Sequence, residues 1–232
     1  ATSLSAGYQN TVSHSRNQYI SSDYAPVLTE NNNYIYARLG YQFNKVYVSL
    51  SSGLKMFWVK NDLNKRSFIR NISQAQASWT INNKWSLQAA FRYSPSIPGI
   101  SSLTDHPQQT SPYLVSNGNP NLKVSEYYNY QLSGSYTHKK LSTTLMLSCL
   151  NTRSPATTDL RYLGNGLFLS QSMNYDTFRR SSGNLYVKLN DIAGFGASLN
   201  ISLEHYNTKL KTEWAHSLTA ISGSLSLWWN KG

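Results

Sequence analysis

Residues 127–137 read YYNYQLSGSYT. Tyr128, Tyr130, Leu132, Gly134 and Tyr136 fall on one side of an extended chain; Asn129, Gln131, Ser133, Ser135 and Thr137 fall on the other. Side chains of a strand alternate between faces, so this stretch is a strand between two different environments. Its polar side carries hydroxyls and amides rather than the Lys and Glu that a strand facing bulk water usually shows.

The same rhythm recurs along the chain. Val46, Val48, Leu50, Leu54, Met56 and Trp58 oppose Tyr47, Ser49, Ser51, Gly53 and Lys55. Trp85, Leu87, Ala89, Phe91 and Tyr93 oppose Ser86, Gln88, Ala90 and Arg92, and Phe195, Ala197, Leu199, Ile201 and Leu203 oppose Gly196, Ser198, Asn200, Ser202 and Glu204. The pattern predicts strands near 2–13, 33–43, 46–59, 67–80, 85–93, 126–137, 141–151, 167–189, 194–206 and 215–229. The 167–189 stretch is long, and a division near Arg179–Gly183 is its alternative reading.

Strands of ten or more residues exceed the ~5–6 usual in globular proteins and match the ~9–11 that cross a bilayer at a tilt. Aromatics gather near strand ends: Tyr41, Phe43, Trp58, Trp79, Trp85, Phe91, Tyr93, Trp228 and Trp229. Aromatic girdles flanking an aliphatic band mark an outer-membrane barrel. Connections alternate as such a barrel requires. Tight turns fall at Asn44-Lys45, Ile81–Lys84, His138–Lys140 and Asn190–Ala193, and longer loops at 14–32, 60–66, 94–125, 152–166 and 207–214. The expected fold is all-β: a transmembrane antiparallel β-barrel of about ten long meander strands.

Composition agrees. Of the 232 residues, only 13% are charged, against about a quarter in soluble domains. No stretch approaches the ~18 apolar residues of a membrane helix. The net charge of +11 comes from scattered Lys and Arg rather than a basic stripe, which argues against nucleic acid and fits anionic lipopolysaccharide and outer-membrane lipid as neighbours. One cysteine, Cys149, sits in an apolar strand slot and excludes an internal disulfide. Nothing at Ala1–Leu4 reads as a signal peptide, so residues 1–232 are expected to be one barrel segment without a plug domain.

Phosphate-cradling, zincin and nucleophile-elbow motifs are absent from the sequence, so no catalytic residues, metal ligands or cofactor are expected. Loop residues Tyr24, Asp105, His106, Tyr113 and Asn117 are candidates to contact a ligand, with Tyr19 and Tyr162 as further loop aromatics. Arg38, Lys55, Arg92 and Glu204 are candidates to line a lumen, where bridging across the interior or touching a plug is an equal reading.

One stretch breaks the alternation. Between Ser94 and Ser125 five of the seven prolines gather, and Ser116-Asn117-Gly118-Asn119-Pro120-Asn121-Leu122-Lys123 closes the interruption. Asn117-Gly118 and Asn119-Pro120 are expected to supply turns, with Pro120 outside any ladder. With Phe91–Leu103 before it, this segment resembles the barrel of TonB-dependent outer-membrane receptors, in particular the outer-membrane β-barrel family common in Bacteroidetes. There a Pro-rich extracellular loop closes on Gly-Asn-Pro-x-Leu-x-Pro-Glu. Gly118, Asn119, Pro120, Leu122 and Glu126 keep that pattern, and Val124-Ser125 replace its second proline.

The resemblance implies a barrel of about 22 strands, a plug, a TonB system as partner, and a possible surface lipoprotein. It also implies import of a nutrient such as a glycan, peptide or metal chelate. The rival is a complete ten-stranded barrel acting as adhesin or hydrolase.

Overall fold

The computed structural model describes residues 1–16, 27–60, 65–192, 194–209 and 215–229. Tyr19 and Tyr24 lie outside the described residues.

Ten long strands form one antiparallel sheet in meander order. They are β1 (Thr2–Arg16), β2 (Val27–Phe43), β3 (Val46–Lys60), β4 (Lys65–Thr80), β5 (Trp85–Ser96), β8 (Ser125–His138), β9 (Leu141–Arg153), β12 (Thr177–Ile192), β13 (Phe195–Lys209) and β14 (Ala215–Trp229). The upper end also carries a helical turn, α1 (Ile100–Leu103), and four shorter strands, β6 (Gln108–Ser111), β7 (Leu114–Asn117), β10 (Ala156–Gly164) and β11 (Leu167–Asn174).

Register extends the alternation into a continuous face. Leu39 stands opposite both Leu4 and Leu50, Leu132 opposite Ala89 and Leu147, and Leu203 opposite Gly183 and Ile221. Large apolar side chains on this face stay open to the surroundings, with Leu4, Ile221 and Leu227 each about three-quarters exposed. Such a surface would aggregate in water and is the natural outside of a membrane barrel. Aromatic pairs edge it: Trp85 with Tyr136 at 4.5 Å and Phe195 with Trp229 at 5.9 Å at the short-turn end, and Tyr93 with Tyr128 at 4.9 Å at the other. The opposite face is lined by hydroxyls and amides that meet across strands, as in Ser148–Ser182 at 2.7 Å and Asn184–Ser202 at 3.3 Å.

At the lower end the hairpins are tight. Phe43 pairs with Val46 and His138 with Leu141, and the first loop residues, Asn44 and Lys139, both take φ near 49°. Asparagine tolerates that left-handed slot well; Lys139 occupies the equivalent place at greater cost.

Three expectations need correction, all at the upper end. Residues 167–189 form two strands, and they part at Tyr175-Asp176 rather than near Arg179–Gly183. There the Asn174 side chain and the Tyr175 amide bond to Lys123, Ser154 and Pro155 instead of continuing a ladder. The 152–166 stretch is a hairpin arm, since β10 pairs with β11. The 94–125 stretch carries α1, β6 and β7, and β5 runs through Pro95 to Ser96 opposite Ser125.

Because the apolar face meets lipid, Leu147→Arg at mid-strand in the native polypeptide should destabilise the folded barrel by ~2–4 kcal/mol. Gln131→Arg, on the polar face, should leave stability nearly unchanged. Denaturant titration in lipid vesicles measures both; equal losses would contradict the assignment of faces.

Candidate functional site

The two segments that follow β5 and β9 fold together. β11 pairs antiparallel with β10 and parallel with β7, and β7 pairs with β6, giving a four-stranded sheet of its own. Its core contact is Phe168–Gln171 alongside Leu114–Asn117. A parallel pair between two loops needs both to arrive in fixed register, and the Gly118–Lys123 turn supplies it.

Each residue of that turn has an assigned partner. The Gly118 amide donates to the Thr104 carbonyl at 3.1 Å, and its carbonyl accepts from Gln171 Nε2 at 3.0 Å. Asn119 donates from its amide to Ser102 O at 2.7 Å and from Nδ2 to Ser172 O at 3.0 Å. Its Oδ1 accepts the Asn121 amide at 2.9 Å, the Asx turn that places Pro120. Arg66, on the polar face of β4, donates to Leu122 O at 3.3 Å and to Pro120 O. Asn174 accepts the Lys123 amide at 2.7 Å and donates to Ser154 O at 2.8 Å. Ser125 Oγ donates to Ser154 O at 2.9 Å and accepts the Ala156 amide at 3.1 Å.

Burial follows this network. The most deeply buried side chains are Leu103, Leu122, Val59 and Thr152, all at the upper end. In a sheet open on both faces, this is where the described residues build a core. Since Arg66 reaches the turn from the polar face, the loop assembly folds over that side of the sheet.

Gly118 is where the sequence reading was wrong in detail. Asn117 is the last residue of β7, and Gly118 is not among the positive-φ residues. Glycine is required by proximity: a Cβ there would lie 2.2 Å from the Thr104 carbonyl oxygen. The turn expected at Asn119-Pro120 is present, shifted to Pro120-Asn121.

The remaining candidates separate. Asn117 and Asp105 come together, with Asn117 Nδ2 donating to Asp105 Oδ1 at 2.8 Å, while Asn117 Oδ1 is buried without a partner. His106 is half-buried beside the exposed Asp105. Among the described residues no three His, Cys, Asp or Glu side chains group as metal ligands. Tyr113 lies at the β6–β7 tip, exposed like Tyr162, whose ring meets Phe168 at 5.2 Å.

Arg38, Lys55, Arg92 and Glu204 all fall on the polar face by register. Arg38 and Arg92 share one row through Ser51 and Gln74. Glu204 is committed to Arg180 and to the Tyr206 hydroxyl. Sequence reasoning missed Arg66, Gln171 and Asn174. The run Asn174-Tyr175-Asp176 carries a turn signal that could have flagged the last; nothing in the sequence marks the other two.

Comparison with known proteins fits this architecture. The family model described as "Outer membrane protein beta-barrel family" matches residues 1–230. The chain belongs to that family. It is therefore an outer-membrane protein, in agreement with the apolar face and aromatic girdles above. No curated protein matches it.

Among solved structures, this family member is similar to the copper transporter OprC, with a TM-score of 0.70 and 11% identity over 97% of this chain and 46% of that one. The FrpB iron transporter from Neisseria meningitidis (F3-3 variant) gives 0.60 and 12%, over 81% of this chain and 27% of that one. The siderophore receptor PirA from Pseudomonas aeruginosa gives 0.51 and 8%, over 97% and 57%. At these identities the likeness is one of fold. The chain spans less than two thirds of the length of each.

Gly118→Ala should free both loops, because the new methyl and the Thr104 carbonyl cannot share the space. Asn174→Ala, which removes the partner of the Lys123 amide and one donor to Ser154 O, should cost about 1 kcal/mol. Limited proteolysis is expected to cut within 97–124 and 154–176 in both variants, with the ten long strands intact. Wild-type resistance in Gly118→Ala would contradict the close approach.

Proposed function

We propose that this chain forms wall and mouth of a TonB-dependent receptor that imports a nutrient such as a glycan, peptide or metal chelate, with no catalytic role of its own. One observation carries the reading: two long loops are locked into a single roof on the polar face, at the end opposite the tight turns. A passive pore has little use for a built roof on its mouth. A receptor that must recognise a ligand before admitting it does.

Other features support it. In hydrocarbon every strand edge needs a partner, yet among the described residues β1 and β14 each pair on one side only, and not with each other. This favours further strands beside them, and hence a larger barrel with room for a plug, over a ten-stranded adhesin or hydrolase. Solved structures of like fold are named as iron and copper transporters and a siderophore receptor. On this reading Arg38 and Arg92 face the lumen, and the exposed Tyr113 and Tyr162 stand where a ligand, or a surface lipoprotein closing the mouth, would first be met. Lipid and lipopolysaccharide surround the apolar face. The plug and TonB supply the energised step.

The test is uptake by cells carrying the full native polypeptide, using labelled metal chelates, oligopeptides and oligosaccharides. Accumulation of at least one ligand should stop when TonB is inactivated and fall when residues 107–117 are deleted. Uptake that persists without TonB, through a barrel that conducts ions passively, would reject the receptor in favour of a simple pore.

A further inference from the structure

On the polar face, the upper parts of β1–β4 enclose a cavity of about 240 Å³ lined by Gln9, Thr11, Asn32, Tyr34, Lys55 and Ile72. Register explains the grouping. Tyr34 stands between Gln9 and Lys55, and Asn32 stands opposite Thr11. Gly53 shapes one wall: a Cβ there would lie 2.7 Å from the Tyr34 ring, so only glycine lets that ring lie against the strand.

The chemistry of this hollow is one-sided. Lys55 has neither an ion pair nor a hydrogen bond among the described residues, unlike Arg180, which pairs with Glu204. Directly across the ladder from Lys55 stands a second cation, Arg70. Like charges directly opposite on a sheet are destabilising, and no carboxylate comes between them. Arg70 gives one guanidinium nitrogen to the Ile69 carbonyl at 2.9 Å, and its Nε is buried without a partner. Asn32 Oδ1 is also buried and unpartnered. Amide oxygen and nitrogen are exchangeable in such assignments, so Asn32 can turn its NH2 inward as a donor. Glu30 shares the face two residues from Asn32 and forms no ion pair with either cation.

An ammonium, an amide, a phenol and a hydroxyl line one small cavity, with Arg70 across the ladder from Lys55, and make a donor-rich socket. We infer that Lys55, Asn32, Tyr34 and Thr11, with Arg70 alongside, form a binding site for a small oxyanion: a phosphate or carboxylate group of a ligand inside the barrel. Charge-assisted hydrogen bonds to such a group relieve the repulsion between Lys55 and Arg70 and satisfy the buried amide. The inference rests on the polar face lining the lumen, as proposed above. It adds a subsite well apart from the loop roof.

Isothermal titration of inorganic phosphate into the full native polypeptide, in detergent at low ionic strength, tests the site. Saturable binding is expected. Lys55→Gln and Asn32→Asp should weaken it by about tenfold or more, as the loss of a charged donor or gain of a repelling carboxylate requires. Lys55→Arg should largely retain it. Lys188→Gln, which removes an equal charge beside Trp228 on the same face, should leave it unchanged. Absence of saturable binding in the wild type, or equal losses in Lys55→Gln and Lys188→Gln, would overturn the site. A membrane-impermeant thiol reagent on Lys55→Cys, in a Cys149→Ser background, separates the two readings. Labelling without phosphate binding rejects the subsite alone; no labelling rejects the lumenal face and the subsite with it.

Discussion

A polypeptide in hydrocarbon has no water to complete its backbone hydrogen bonds, so each amide and carbonyl must find a partner within the protein. The ten-stranded ladder answers that constraint, and most of the structure follows from it. Strands run unbroken because an interruption would strand polar groups in lipid. Their registers then bring apolar side chains into one field and hydroxyls and amides into another. In a soluble domain an apolar face drives folding by being hidden; here it stays open, and the aqueous side is where side chains find one another.

Backbone satisfaction returns as a problem at the mouth. A Pro-rich loop that doubles back on the sheet buries amides far from any regular ladder. The chain meets this with side chains rather than strands: Asn119, Asn174, Ser125, Gln171 and Arg66 each bond one to three main-chain groups. That explains why the most buried side chains lie around a turn instead of between strands.

Most of the membrane-spanning part was legible in the sequence, because period-two alternation has no competing cause over ten or more residues. The parity of short turns and long loops then fixed which ends lie together. The mouth was less legible. Leu167–Asn174 and Thr177–Ile192 read as one strand since both alternate; only tertiary pairing with Leu114–Asn117 pulls the first part out of the main sheet. The motif around Asn119 pointed to the right place for a partly wrong reason. A glycine chosen for contact is written like a glycine chosen for a turn. Of the polar-face candidates, Glu204 proved occupied by Arg180, whereas the surroundings of Lys55 depend on four strands meeting and could not be read from any one of them.

The parallel seam between β7 and β11 also limits how this mouth can change over time. Two loops from different hairpins share one set of hydrogen bonds, so neither can gain or lose a residue in the seam without displacing the other. Variation is channelled to the tips, at Pro112-Tyr113 and Asn165-Gly166, which lie outside the ladder. Substitutions can therefore accumulate at those few outermost positions while the roof beneath keeps its shape.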